Sequence, residues 1–319
     1  MKELVKVFGI FLVLFYSCGI CTTLLSINVK NQGGDVFPET IISNVTEDTI
    51  TLEFQRSDGT LVTQLIDFRN EVQMIRAVIL GEVERGQNQL QVLCFVNHFS
   101  KTDFISSDAM SKLRQKNPGT VRVAEEDRGY TNYTMDLFID ISKSLVISKH
   151  ISTFCSEAAE STFTRNEDLK LWTQRPGTAE SLITSAVRNF TSPVIQNLNI
   201  NNSSNSSSHN NIINNNNNNN SSSSSNNNNN NNNIKNNSVI STSRSNLISK
   251  CADTSTWSVP CSCSLELCIG WYPCGLKFCK SKNDGKKFVS PYRCGIKTCK
   301  RYYIFTYQAK QKQNCLWDD

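Results

Sequence analysis

Thirteen cysteines against three histidines set the chemistry open to this 319-residue chain. A histidine-ligated metal site or a histidine-based triad has almost nothing to draw on, whereas thiols are plentiful. Nine of the cysteines crowd the carboxy-terminal end: Cys251, Cys261, Cys263, Cys268, Cys274, Cys279, Cys294, Cys299 and Cys315. A region that short, with few aliphatic residues, cannot bury enough core to fold without covalent or metal staples. Cys274-Gly-Leu-Lys-Phe-Cys279 echoes Cys294-Gly-Ile-Lys-Thr-Cys299, which suggests duplicated loops closed in similar ways.

Disulfides and zinc compete for these thiols. Four-thiolate zinc would suit a nuclear regulator, with the lysines near Cys279 and Cys299 meeting phosphates. Against it stand Cx4C and CxC spacings in place of CxxC, and the lack of histidine after residue 250. The amino terminus decides for disulfides. Lys2 and Lys6 precede an apolar run, Val7 to Tyr16, and then small residues at Ser17, Cys18, Gly19, Thr22 and Thr23, the plan of a secretory signal peptide over residues 1–23. A signal anchor is the alternative, since no charge occurs from Val7 to Asn28. Either way the chain faces an oxidising compartment, where paired cysteines are the rule. Removing Cys18 and Cys21 leaves an odd number of thiols, so one is unpaired or pairs between chains. Connectivity within the cluster cannot be read from spacing. Asn44, Asn132 and Asn189 head N-x-Ser/Thr sequons in complex sequence and are the expected glycan sites.

The elements that must hold these residues fall into two bodies. Residues 26–191 read as an α+β domain. Ile50, Leu52 and Phe54 alternate with polar neighbours, Ser57-Asp58-Gly59 makes a turn, and Leu61 to Phe68 returns as a hairpin. Val72 to Leu80, Leu90 to Phe99 and Met135 to Ile141 read as further strands. A helix is expected over Ala109 to Lys116 behind the Ser106-Ser107-Asp108 cap, and a longer one from Ile151 to Trp172, with Cys155 on its apolar face. Residues 197–249, nearly all Asn and Ser, read as a disordered linker. Residues 250–319 form the small disulfide-rich module.

Charge follows the same division. Cys251 to Asp319 holds eleven basic and five acidic side chains, a net +6 against +5 for the whole chain. The basic tail suits an acidic glycan or anionic surface. Nothing suggests a nucleic-acid partner, and no stable membrane span is expected once the signal is cleaved. Catalysis finds no footing: only His98 and His150 lie in folded sequence, no G-x-S-x-G or H-E-x-x-H occurs, and Glu125-Glu126-Asp127 sits in polar, helix-like sequence where a solvated face accounts for it. The chain is expected to be no enzyme, with no metal and no cofactor.

Longer motifs carry a resemblance. Arg76-Ala-Val-Ile-Leu-Gly-Glu-Val-Glu-Arg-Gly-Gln, Leu93-Cys94-Phe95-Val96, the run from Ala109 to Pro118, Trp271-Tyr-Pro-Cys274, Tyr292-Arg-Cys-Gly-Ile296 and Cys315-Leu-Trp-Asp318 resemble the out at first family. The resemblance implies a secreted protein connected with development, notably of the nervous system, with no established molecular activity. It implies ten paired cysteines, here Cys94, Cys155, Cys251, Cys261, Cys263, Cys274, Cys279, Cys294, Cys299 and Cys315, and makes Cys268 the spare thiol. The first region further resembles a BRICHOS domain, a sheet flanked by helices that shields aggregation-prone segments. That likeness implies a Cys94 to Cys155 bridge and makes Asp67 the counterpart of a pH-sensitive carboxylate, although a strand-end aspartate beside a turn fits Asp67 as well. The function these readings imply is binding of an extracellular protein or peptide, with a chaperone-like role as the alternative.

Overall fold

The structure is a computed structural model that describes residues 22–30, 34–82, 84, 90–190, 248–279 and 291–315. All but two residues of the expected signal peptide, and all but two of the expected linker, lie outside these. Strands dominate the described residues. β1 (Thr22–Lys30), β2 (Val36–Asn44), β3 (Thr49–Gln55), β4 (Leu61–Asp67), β5 (Val72–Leu80) and β6 (Leu90–His98) run as an antiparallel meander. β1, β2 and β3 alternate in burial along the strand, as a sheet face requires, whereas β4, β5 and β6 are buried almost throughout because both faces of the sheet are covered there. Asp58 tightens the β3–β4 turn by accepting a 2.9 Å hydrogen bond from the Thr60 backbone, and Gly59 sits at φ 86°, which only glycine adopts without strain. β7 (Val121–Arg122) lies parallel to β1 at one margin. β9 (Leu137–Ile139), β10 (Thr162–Thr164) and β11 (Val187–Asn189) extend the other, giving a ten-stranded sheet in the order β11-β9-β10-β6-β5-β4-β3-β2-β1-β7.

Helices are short. α1 (Ser107–Ser111) starts as expected, with Ser106 Oγ accepting from Ala109 N at 3.3 Å, but stops five residues short of Lys116. The long helix expected from Ile151 to Trp172 is broken. α2 (Ile151–Phe154) ends at Cys155, a 3-10 turn over Ser156–Ala158 follows, and Thr162-Phe163-Thr164 leaves helical spacing to become β10 before α3 (Asn166–Thr173) begins. Thr162 and Phe163 pair with Cys94 and Phe95 on β6, Thr164 pairs with Leu137 on β9, and all three are buried; the sheet position outweighs helical periodicity. With α4 (Glu180–Ser185), the helices pack Ile151, Trp172 and Ile183 against Met74 and Val96 on one face of the sheet.

The other face meets the cysteine-rich segment. β12 (Cys261–Cys279) and β13 (Tyr292–Ala309) form one long antiparallel hairpin. Instead of standing apart as a module of its own, this hairpin belongs to the same compact unit as the first region. The physical reason is a shared apolar core: Phe95 stacks on Phe305 with centroids 4.2 Å apart, and Tyr307 and Phe163 close around them. β8 (Glu126–Thr134) completes the second sheet, pairing in parallel with β13 in the order β12-β13-β8. Residues read as helix-like around Glu125-Glu126-Asp127 are therefore strand, because the neighbouring β13 supplies backbone partners that sequence alone does not reveal. Gly270 admits the approach of β12 to β1, since a Cβ there would come within 2.9 Å of Val29 Cγ1.

Phe305→Ala should destabilise the chain by about 3–5 kcal/mol, the range for truncating a fully buried aromatic. A hairpin independent of the larger sheet would instead leave the first region's urea midpoint unchanged, which a probe on Trp172 reads directly.

Candidate functional site

The hairpin owes its rigidity to sulfur. Cys274 is bonded to Cys299 and Cys279 to Cys294, so each bridge joins one Cx4C unit to the other across the strands. The connectivity that spacing left open is a ladder, because the repeat lies on the two arms of a hairpin where facing residues come into register. Cys251 is bonded to Cys261, and Cys263 to Cys315, which pins the segments flanking the hairpin to its base. The sulfurs of Cys251, Cys263 and Cys315 lie within 4.8 Å of one another, a grouping explained by those two adjacent disulfides. Cys94 is bonded to Cys155, tying β6 to the end of α2 over 61 residues of chain. In the chain-entropy account a loop of that length contributes about 4 kcal/mol.

Cys268 remains a free thiol on β12, half-buried and in register with Tyr302. Burial pushes its thiol up to about 11, outweighing the nearby Lys300 ammonium. Thiolate is therefore scarce at neutral pH, and attack on another disulfide is slow.

The basic residues of the tail are largely satisfied within the molecule. Lys277 meets Glu125 at 2.6 Å and Lys300 meets Asp127 at 2.9 Å, while Lys297 contacts Glu126. Arg301 and Arg128 share Asp103, and Lys310 contacts Glu160. These lysines hold the Glu125, Glu126 and Asp127 carboxyls below the usual carboxylate range, for Asp127 second to a hydrogen bond from the Gly129 backbone. The three consecutive acids, read from sequence as a solvated face, are the counter-charge for the hairpin's lysines. Lys312 donates to the Thr254 carbonyl at 2.8 Å, and the remaining lysines of the tail, at 280, 282, 286 and 287, lie outside the described residues.

Asp67 ends β4 and is fully buried. Its carboxylate accepts from Asn70 N at 3.0 Å, Asn70 Nδ2 at 2.7 Å and Ser148 Oγ at 2.7 Å. Those bonds hold a turn and tie it to the segment before α2, the strand-end role. Another buried carboxylate escaped sequence reasoning. Glu39 on β2 pairs with Ile27 and Phe54, sharing their inward face, and both its carboxylate oxygens are buried without a hydrogen-bond partner. Desolvation pushes its carboxyl well above the ordinary glutamate value. Alternation along Val36-Phe-Pro-Glu-Thr-Ile-Ile was the available signal, since it puts Glu39 in phase with Ile41.

Among the sequon asparagines, Asn132 on β8 and Asn189 on β11 are exposed, and Asn44 at the end of β2 is half-buried, its Oδ1 accepting from Glu47 N. His98 lies 3.4 Å from Glu71 and His150 3.8 Å from Glu47, each a contact at the edge of a turn. No helix among the described residues is long and apolar enough to cross a membrane.

Comparison with known proteins covers both parts of the chain. Residues 23–172 match the family model described as Out at first, and residues 250–319 the one described as Out at first, C-terminal. The Out at first protein of Drosophila virilis is 44% identical over 303 residues, spanning 92% of this chain and 82% of that protein. Its counterpart in Drosophila melanogaster is 43% identical over 304 residues, spanning 92% of this chain and 52% of that longer protein. No solved structure matches.

Two outcomes follow from the charges. Glu39→Met should raise stability at neutral pH by about 1–3 kcal/mol, by removing an unpaired buried polar group. The wild-type carboxyl, with its folded value raised above the unfolded one of about 4.5, carries no titration cost below that pH and progressively more as pH rises toward the folded value, so the gain should shrink on acidification to what the buried neutral carboxyl still costs. Urea midpoints of both proteins across that pH range measure it. Separately, Glu125→Gln, Glu126→Gln and Asp127→Asn together should release Lys277, Lys297 and Lys300 and raise the salt needed to elute the protein from heparin.

Proposed function

This chain belongs to the Out at first family, and on that premise we propose that it is a secreted, non-catalytic binding protein that acts in development, including development of the nervous system. The observation that carries the reading is the state of the thiols. Ten of the eleven described cysteines are joined in five disulfides, and crosslinks at this density persist in oxidising compartments. The exposed sequons Asn132 and Asn189 add support, since a glycan needs an accessible asparagine. The ligand is an extracellular protein, peptide or small molecule held by a rigid, crosslinked surface. An acidic glycan meets less free charge on the hairpin than the tail's +6 suggests, because five of its basic side chains are ion-paired.

A second reading, shielding of aggregation-prone strands as in BRICHOS domains, draws on the Cys94–Cys155 bridge between strand and helix. The ends of the ten-stranded sheet, β7 and β11, are two and three residues long and offer a client strand little; the longer edges are β1 outside its two residues paired with β7, and β8 and β12 in the smaller sheet.

Intact mass of the full chain secreted from cultured cells, with and without reductant, alkylating agent and glycosidase, tests the proposal. The expected protein lacks its first residues, carries glycan, and alkylates at one thiol before reduction and at eleven after. Recovery from cytosol with free thiols sinks it.

A further inference from the structure

Between the start of β1 and the outer end of the hairpin the surface folds into a groove of about 370 Å³. Its floor is apolar. Leu25 and Ile27 come from β1, Trp271 from the bulged middle of β12, Leu276 and Ile296 from a facing pair across the hairpin, and Leu113 from the chain after α1. Three guanidinium groups stand around this floor: Arg114, Arg122 and Arg293. No carboxylate among the described residues lines it.

These arginines differ from the other cations of the hairpin. Where Lys277, Lys297, Lys300 and Arg301 each have an acidic partner, neither Arg122 nor Arg293 makes an ion pair or hydrogen bond through its side chain among the described residues. Arg114 donates only to the backbone carbonyls of Ser111 and Leu113. Exposed apolar side chains crowd the same end of the molecule: Phe278 opposite Arg293 in the hairpin register, Tyr292 beside it, and Val121 beside Arg122. Scattered exposed apolar residues are ordinary, but a cluster of them around an apolar cleft with unpartnered cations marks a site for something.

The composition selects among ligands. A hydrophilic polyanion, such as a sulfated glycan, would satisfy the arginines and leave the floor dry and unfilled. A neutral hydrocarbon would fill the floor and leave three guanidinium groups without counter-charge. An alkyl chain ending in a carboxylate answers both, the chain lying on Leu25, Trp271, Leu276 and Ile296 and the head taking the planar donor pairs that guanidinium offers.

We propose that this groove binds an amphiphile of the fatty-acid class, head to Arg122 and Arg293 and chain along the apolar floor. The proposal deepens the binding-protein reading by naming a ligand, yet stands on separate observations: the groove and its arginines do not depend on where the chain resides.

Dodecanoate is the probe, titrated below its micellar concentration into the full-length disulfide-bonded protein and followed by calorimetry. One saturable site is expected. Dodecanol and dodecyltrimethylammonium should bind at least tenfold more weakly, and Arg122→Ala with Arg293→Ala should weaken dodecanoate to the level of dodecanol while leaving dodecanol unchanged. Leu276→Gln should weaken both. All these positions are half-buried or exposed, and unchanged urea midpoints show that the variants fold. Absence of saturable binding, equal affinity for dodecanol and dodecanoate, or indifference to the double arginine substitution overturns the assignment. So does displacement of dodecanoate by a tail-less heparin fragment at equal charge. Failure here leaves the thiol and mass result standing, and a cytosolic, reduced protein could still bind dodecanoate, so the two readings fall separately.

Discussion

The stack of Phe95 on Phe305 is the contact on which the rest of this architecture depends. One ring belongs to the central region of a ten-stranded sheet, the other to a hairpin more than two hundred residues later in the chain, and both are fully buried. Their meeting joins two sequence regions into one apolar interior, with Tyr133 and Tyr303 extending the aromatic row. Disulfides reinforce that interior and reach past it. Cys263–Cys315 at the base of the hairpin, Cys274–Cys299 in its far half and Cys94–Cys155 on the opposite face are themselves buried in the apolar clusters, and Cys279–Cys294 holds the far end, where burial runs out.

Local pattern made the meander legible. Alternation gave β3, apolar runs gave β4, β5 and β6 nearly to the residue, and the Asp58-Gly59 turn announced itself by its chemistry. Ser106 marked the start of α1 for the same reason: a cap is a local hydrogen bond, fixed by residues a few positions apart. What could not be read was anything decided by partners distant in sequence. Thr162 to Thr164 keeps helical phase with Ile151 and becomes strand because β6 offers it a place, and Glu126 to Thr134 becomes strand because β13 does. The cysteine repeat left its connectivity open for a related reason. Similar spacing on two segments suggested duplicated loops closed in similar ways, and only the hairpin, which brings the segments face to face, shows that the sulfurs cross between them.

Electrostatics followed the same rule at the level of the site. The count of charges placed a basic excess in the tail, but the acids that neutralise much of it come from β8 and the residue before it, brought alongside by parallel pairing with β13. Sequence balance measures total charge, and only the fold says which charges remain for a partner. Glu39 shows the converse. A single acid in phase with an apolar strand is nearly invisible in composition, yet burial without a partner makes it the most strongly perturbed carboxylate described here.

The order of strands in the smaller sheet carries a consequence for how the protein is made. β13, the last of the described strands, is the central one, flanked by β12 and β8. β8 therefore gains its neighbour only after all the residues between it and β13 have been made, and until then the aromatic face around Phe95 stays open to water and to chaperones. Nascent chains that stop before β13 keep that face exposed, which marks them for cellular quality control.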